Sequence, residues 1–398
     1  MIPALTRRGV LIGASALAAA SSGLARAGAG RSVMAYVGSY TPEGHGVFQY
    51  HFDSQTGALT PVGLAAAITN PSWITIDAAH GRLFALSEVD NFGDGHTGSV
   101  TAFAIDPASG GLIRRNTVSS GGAGPAYISV HPSGRFVLAA NYGGGSVAVL
   151  GVTEDGALTD PLDVQATPKP AAPPTPDPAQ LRNLALSDHT TAHMHMIAPD
   201  PSGRFVIADD AGSDRINVWR LDAATGRLTP AATPFTAVQS GAAPRHFVFA
   251  PGGRRMFNLQ EHDGLLKSYG FDPVSGALTP EQTVATLHAG YAGSSLASEL
   301  AISQDGRLLF AANRLRNTLT TIAVSRTGRM KVLGEAWTQG DHPRSFSLDP
   351  SGRFLICCNQ RSDNLTTFRV APGTGALSFT ERFEQIGSPA VLAFYTMG

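Results

Sequence analysis

Arginine, histidine and glutamate set into short apolar runs mark the chemistry available to this chain. Arg245 stands in Pro244-Arg245-His246 and Arg344 in the similar Pro343-Arg344-Ser345. Arg314 closes Ala312-Asn313-Arg314, Glu261 closes Asn258-Leu259-Gln260-Glu261, and Glu299 follows Ser298. His193 and His195 are separated by Met194. Charges in such surroundings are expensive to bury unless paired, and most other charges of the chain lie in turns. A guanidinium offers a planar fork for a carboxylate, a phosphate or a developing oxyanion. His195 supplies a proton acceptor near neutrality. Glu261 either activates water or pairs with Arg245. The plain structural alternative is that Arg245 and Arg344 pair with inward carboxylates such as Glu261 or Glu299 and simply line a channel. Two histidines at i and i+2 face the same way on a strand, a spacing that metal ligands also use. No Asp, Glu or Cys at matching spacing completes a set, so neither metal nor cofactor is implied.

These residues occupy equivalent places in a repeat. A Gly-Arg pair after an acidic or Pro-containing turn occurs six times, at Gly81, Gly134, Gly203, Gly253, Gly306 and Gly352. A second turn, a small or acidic residue followed by Gly, occurs seven times, at Gly57, Gly110, Gly156, Gly226, Gly276, Gly328 and Gly375. Successive members of each set are 46 to 70 residues apart. Apolar or alternating runs flank each turn, as in Tyr127-Ile128-Ser129-Val130 and Phe136-Val137-Leu138-Ala139-Ala140, so each turn joins a β-hairpin. Two hairpins per unit at a period near 50 predict an all-β, seven-bladed β-propeller with four antiparallel strands per blade. The first unit lacks its first strand, and Ser388-Pro389-Ala390-Val391-Leu392 resembles an inner strand with no blade after it. The C-terminal strand therefore completes the first blade and closes the ring, which leaves few free edges. Propeller ligands bind near the axis. His195, Arg245, Glu299 and Arg344 then lie at the starts of inner strands. Glu88, Asn141, Asp209, Glu261, Arg314 and Gln360 lie at the ends of second strands.

Composition bounds the partners. Lys+Arg total 29 and Asp+Glu 30, for a net charge of −1, which gives no global pull toward nucleic acid or anionic lipid. The only cysteines, Cys357 and Cys358, are adjacent, and neighbours on a strand point to opposite faces, which excludes a disulfide framework. Residues 1–27 read as an export signal: Thr6-Arg7-Arg8, an apolar stretch from Gly9 to Ala20, then Ala25-Arg26-Ala27. The paired arginines suggest the twin-arginine route, with Sec export or an uncleaved anchor as the competing readings. A periplasmic or secreted monomer with no stable membrane partner is expected, cytoplasmic only if the signal is unused. The remaining 28–398 form one propeller with a Pro-rich excursion near 159–191, expected to be irregular and placed just before His193 and His195.

Two tempting motifs carry nothing. Gly143-Gly144-Gly145 has no helix after it to make a phosphate cradle, and Ser294-Ser295 lacks a nucleophile-elbow context. The Gly-Arg arginines recur with the turns and belong to the scaffold, since a site needs one copy of each role.

Five segments together resemble the lactonase family of seven-bladed propellers, which includes bacterial 6-phosphogluconolactonases and fungal carboxymuconate cyclases. They are Tyr36-Val37-Gly38-Ser39-Tyr40-Thr41, His195 through Arg204, Pro244-Arg245-His246, Ser298-Glu299 leading to Asn313-Arg314, and His342-Pro343-Arg344 through Asn359-Gln360. The family pattern has a short polar residue after its histidine, where Met196 stands here. The resemblance implies hydrolysis of a sugar lactone, with His195, Glu261, Arg245 and Arg314 catalytic. Arg344, Glu299, His193 and Gln360 would bind the substrate, an anionic lactone or sugar acid. Closure of a lactone by a carboxymuconate-type cycloisomerase, or a non-catalytic binding module, are the alternatives. Export argues against a phosphorylated substrate, because sugar phosphates are mostly cytoplasmic.

Overall fold

All thirteen repeat glycines adopt positive φ, from +60° at Gly81 to +85° at Gly156, and this sets the strand pairing. A side chain is strained there, so glycine permits the tight reversal that puts adjacent strands in register. At Gly276 (φ +80°) a Cβ would also lie 2.6 Å from the Phe205 ring. Gly276→Ala should therefore lower stability by about 2–4 kcal/mol, combining strain and overpacking. Gly352→Ala faces open space and should cost about 1 kcal/mol. Denaturant midpoints check the contrast, and equal losses would show that packing at the turn is irrelevant.

The computed structural model describes residues 32–167 and 188–398. The proposed signal therefore lies outside the described residues. The strands form seven four-stranded antiparallel sheets. Their innermost strands are Ile74–Asp77, Pro125–Val130, Met194–Pro199, Pro244–Phe249, Leu296–Ile302, Pro343–Leu348 and Pro389–Thr396. Each of these touches the next, and the last touches the first, around a closed ring. Val33–Ser39 pairs with Val47–Asp53 on one side and with Pro389–Thr396 on the other. The chain end thus closes the ring as expected. In the excursion, residues up to Ala166 are regular, because Leu158–Ala166 is the outermost strand of its sheet. Pro161 is tolerated there, since an edge strand needs no N–H on its outer side. Residues 168–187 lie outside the described set.

The core is a set of seven clusters, one at each interface between neighbouring sheets. Cys358 packs in the interface between the last and first sheets and Cys357 in the one before it, on opposite faces, and both are free thiols. The repeat arginines fasten sheet to sheet. Arg82, Arg135, Arg204 and Arg353 each donate to a carbonyl in the outer turn of the next sheet: Glu154, Ala223, Pro273 and Ser54. In the fourth unit Arg255, beside Arg254, performs this role with Thr327.

Candidate functional site

The pairing register breaks at the start of the inner strands, and the expected site residues sit at the breaks. Met194 pairs with Asp210 and Met196 with Asp209, which leaves His195 bulged out of the ladder. Arg245 is bulged between Pro244 and His246, and Arg344 between Pro343 and Ser345. Ser298 and Glu299 fall between Ala297, paired with Asn313, and Leu300, paired with Ala311. A bulge re-aims the side chain it carries, which is why bulges gather at sites. A second ring consists of the residue just past each second strand. The backbone N–H of Glu261 donates to Ala243 at 2.8 Å, that of Glu88 to Asn70 at 2.9 Å, that of Tyr40 to Ser388 at 3.0 Å and that of Gln360 to His342 at 3.1 Å. All four acceptor residues lie at φ between +42° and +60°, backbone that non-glycine residues adopt only when the surroundings enforce it.

Four of the expected residues meet. Glu261 accepts from Arg245 Nη1 through Oε2 and pairs with Arg314 Nη2 through Oε1, both at 2.9 Å. Arg245 Nε also donates to the Ser298 carbonyl at 2.8 Å, and Arg245 Nη1 contacts His195 Nε2. Arg314 reaches the carbonyls of Leu296 (3.3 Å) and Ala297 (3.4 Å). All four side chains are buried. Burial alone would raise the Glu261 carboxyl, but the guanidiniums of Arg314 and Arg245 prevail and hold it well below the carboxylate range. Burial, then Arg245 and His246, push His195 well below its ordinary value. Burial also brings Arg314 down to about 10, against the pull of Glu261. The cluster is thus a carboxylate, two guanidiniums and a neutral imidazole. Its Nε2 accepts from Arg245, and its buried Nδ1 has no hydrogen-bond partner among the described residues.

The other four expected residues divide. Arg344 Nη2 donates to Glu88 Oε2 at 3.3 Å and lies 4.9 Å over the Tyr40 ring, whose hydroxyl also donates to Glu88. It shares the field of the central cluster. Glu299 pairs with neither arginine. Its Oε1 accepts from His246 Nδ1 at 3.0 Å, and His246 lies edge-on to a stacked Trp73–Tyr127 pair and to His195. His193 precedes the inner strand, and Tyr142 lies between it and the cluster, stacked on His193 at 4.4 Å and edge-on to His195. The His193 Nδ1 meets the Tyr142 carbonyl at 2.9 Å. Gln360 occupies the second ring, held by its backbone bond to His342. Asn141 and Asp209, expected at strand ends facing the axis, point into the blades. Asn141 Nδ2 donates to the Ser120 carbonyl at 3.0 Å, and Asp209 accepts from Asn258 at 2.8 Å. The equivalent axial positions are instead Tyr142 and Ala211; Tyr142 is one step past Asn141, and one step along a strand reverses the face. Met196 packs in the core and its Sδ accepts from Phe247 N–H at 3.1 Å, so its departure from the family pattern does not touch the site. Tyr40, Trp73, Tyr127, Tyr142 and His246 escaped the sequence reading. A ring-position alignment of the repeats would have found Tyr40 and Tyr142.

Comparison with known proteins gives the relatives of this fold. The 6-phosphogluconolactonase of Bacillus subtilis is 28% identical over 361 residues, 90% of this chain and 97% of that protein. Among solved structures, the periplasmic gluconolactonase of Pseudomonas aeruginosa superposes with a TM-score of 0.83 at 30% identity, covering 92% of this chain and 100% of that one. A protein of Bacteroides fragilis titled a putative 6-phosphogluconolactonase follows, with a TM-score of 0.81 at 27% identity, 92% of this chain and 98% of that one. The model of the family described as "Lactonase, 7-bladed beta-propeller" matches residues 34–394, and the chain belongs to that family.

Proposed function

We propose that this chain hydrolyses a sugar lactone to its hydroxy acid. The observation that carries the reading is the buried set of two guanidiniums sharing one carboxylate beside a neutral imidazole. One positive charge is in excess, placed where water is excluded, and a lactone carbonyl develops one negative charge when water attacks it. A cation already in position stabilises that oxyanion without reorganisation. Glu261 is a poor base because both guanidiniums stabilise its ionised form. Its part is to hold Arg245 and Arg314 in register. His195 is the base. As the oxyanion draws Arg245, Nε2 takes a proton from the attacking water while the new C–O bond forms. The tetrahedral intermediate then collapses, the ring C–O bond breaks, and the proton passes from Nε2 to the departing ring oxygen. The likeness to proteins named 6-phosphogluconolactonase and gluconolactonase supports the same reading.

Export to the periplasm belongs to this proposal, supported by Arg7-Arg8 and the Ala25-Arg26-Ala27 site and by the periplasmic relative. The complete internal pairing of Arg245 with Glu261 favours a second reading, a non-catalytic lining. An assay of purified protein with glucono-δ-lactone, 6-phosphogluconolactone and a carboxymuconate lactone separates the two, because a lining turns over none of them. Lactone closure from carboxymuconate, without hydrolysis of the sugar lactones, would instead make the chain a cycloisomerase.

A base whose proton affinity is depressed stays competent in mild acid. The kcat/KM of the enzyme should remain level as pH falls through 6.5, the ordinary histidine value, and decline only well below it. An acid limb centred at or above pH 6.5 would take the role of base away from His195.

A further inference from the structure

Two charged groups of the axial belt differ in access. The Arg245–Glu261–Arg314 group is sealed, its side chains 4%, 8% and 7% exposed. The Arg344–Glu88 pair is the more accessible of the two, at 18% and 29%. The open pair holds no spare positive charge. Glu88 accepts from Arg344 and from the Tyr40 hydroxyl, and its backbone is fixed on both sides by Asn70, whose carbonyl accepts its N–H (2.9 Å) and whose Nδ2 donates to its carbonyl (3.3 Å). Arg344 is steadied over the Tyr40 ring.

We infer that Glu88 sets the specificity of this site. It presents a carboxylate that accepts hydrogen bonds from the hydroxyls of an uncharged aldonolactone, and it repels a lactone bearing a phosphate. The inference rests on the lactonase reading and narrows its substrate class. The one positive charge of Arg344 is already answered by Glu88. The open pair therefore offers no unopposed cation to a phosphate dianion. A dianion brought beside Arg344 would also lie beside Glu88, and like charges placed side by side oppose binding strongly. A sugar hydroxyl has the opposite preference. It donates to a carboxylate with the strength of a charge-assisted bond, and Tyr40 fixes the carboxylate ready for it. Arg344 alone would suit a phosphate, so Glu88 is the residue that turns the open pair away from one.

The test compares wild type with Glu88→Gln and Glu88→Asp on glucono-δ-lactone and 6-phosphogluconolactone. Wild type should prefer the neutral lactone. Glu88→Gln should raise the ratio of kcat/KM for the phosphorylated over the neutral lactone by ~10-fold or more, and Glu88→Asp should keep the wild-type preference. A merely structural role would lower both substrates together and leave the ratio unmoved, which overturns the inference, as does a wild type that prefers the phosphorylated lactone. Calorimetric titration of the same proteins with gluconate and 6-phosphogluconate reads the discrimination without turnover. Absence of hydrolysis in wild type would then defeat the lactonase reading alone. The inference would fall separately if Glu88→Gln gained no affinity for 6-phosphogluconate.

Discussion

Arg245→Ala should lower kcat for lactone hydrolysis by ~10²–10³-fold while the protein stays folded. Arg245 is the residue on which the cluster converges. It contacts His195 Nε2, Glu261 Oε2 and the Ser298 carbonyl. Its removal takes away the oxyanion cation and the donor that fixes the imidazole tautomer. Stability is spared because Glu261 keeps its bond to Arg314, so no buried charge is left alone. Arg245→Lys should recover little, since an ammonium is a point charge without the fork that spans imidazole, carboxylate and carbonyl. Turnover by Arg245→Ala within a few-fold of wild type, measured on folded protein, would reduce the cluster to a channel lining.

Glu261→Leu should do the reverse of a surface substitution and destabilise the protein by about 3–5 kcal/mol. The carboxylate is the shared partner of two buried guanidiniums, and without it their mutual repulsion and desolvation stand uncompensated. The asymmetry between the two substitutions follows from the count. Losing one of two cations leaves a pair, whereas losing the single anion leaves two like charges. Glu261→Gln, which keeps acceptor capacity and shape, should lose less. Thermal or urea unfolding reads the difference, and a Glu261→Leu protein as stable as wild type would mean that water screens the two arginines.

The repeat glycines carry most of the architecture in the open. A glycine that must take positive φ is conspicuous, and thirteen of them at a near-constant period count the hairpins directly. The missing first strand was legible for the same reason, because Ser388-Pro389-Ala390 repeats the pattern of other inner-strand starts. The site was less legible. His195, Arg245 and Arg344 stand out as charges among apolar residues, but the register break that releases each from its ladder has no side-chain signature. Asn141 shows the consequence. It lies one residue from the axial Tyr142, and on a strand one residue is the difference between the funnel and the interior of a blade. Glu299 was weighed as a partner for an arginine and pairs instead with His246 of the neighbouring sheet, a contact that only the packing of sheet on sheet decides.

The chain's own order of residues determined the blade count, the closing strand, the opposed faces of Cys357 and Cys358 and the scaffold role of the turn arginines. These depend on local backbone preferences and on period, which short segments express by themselves. Only the folded ring decided that Arg245 and Arg314 share Glu261, that Arg344 answers to Glu88 across a sequence separation of 256 residues, and that His195 is neutral. Those outcomes depend on distance and burial between residues brought together by ring closure, and neither quantity is written in a linear sequence.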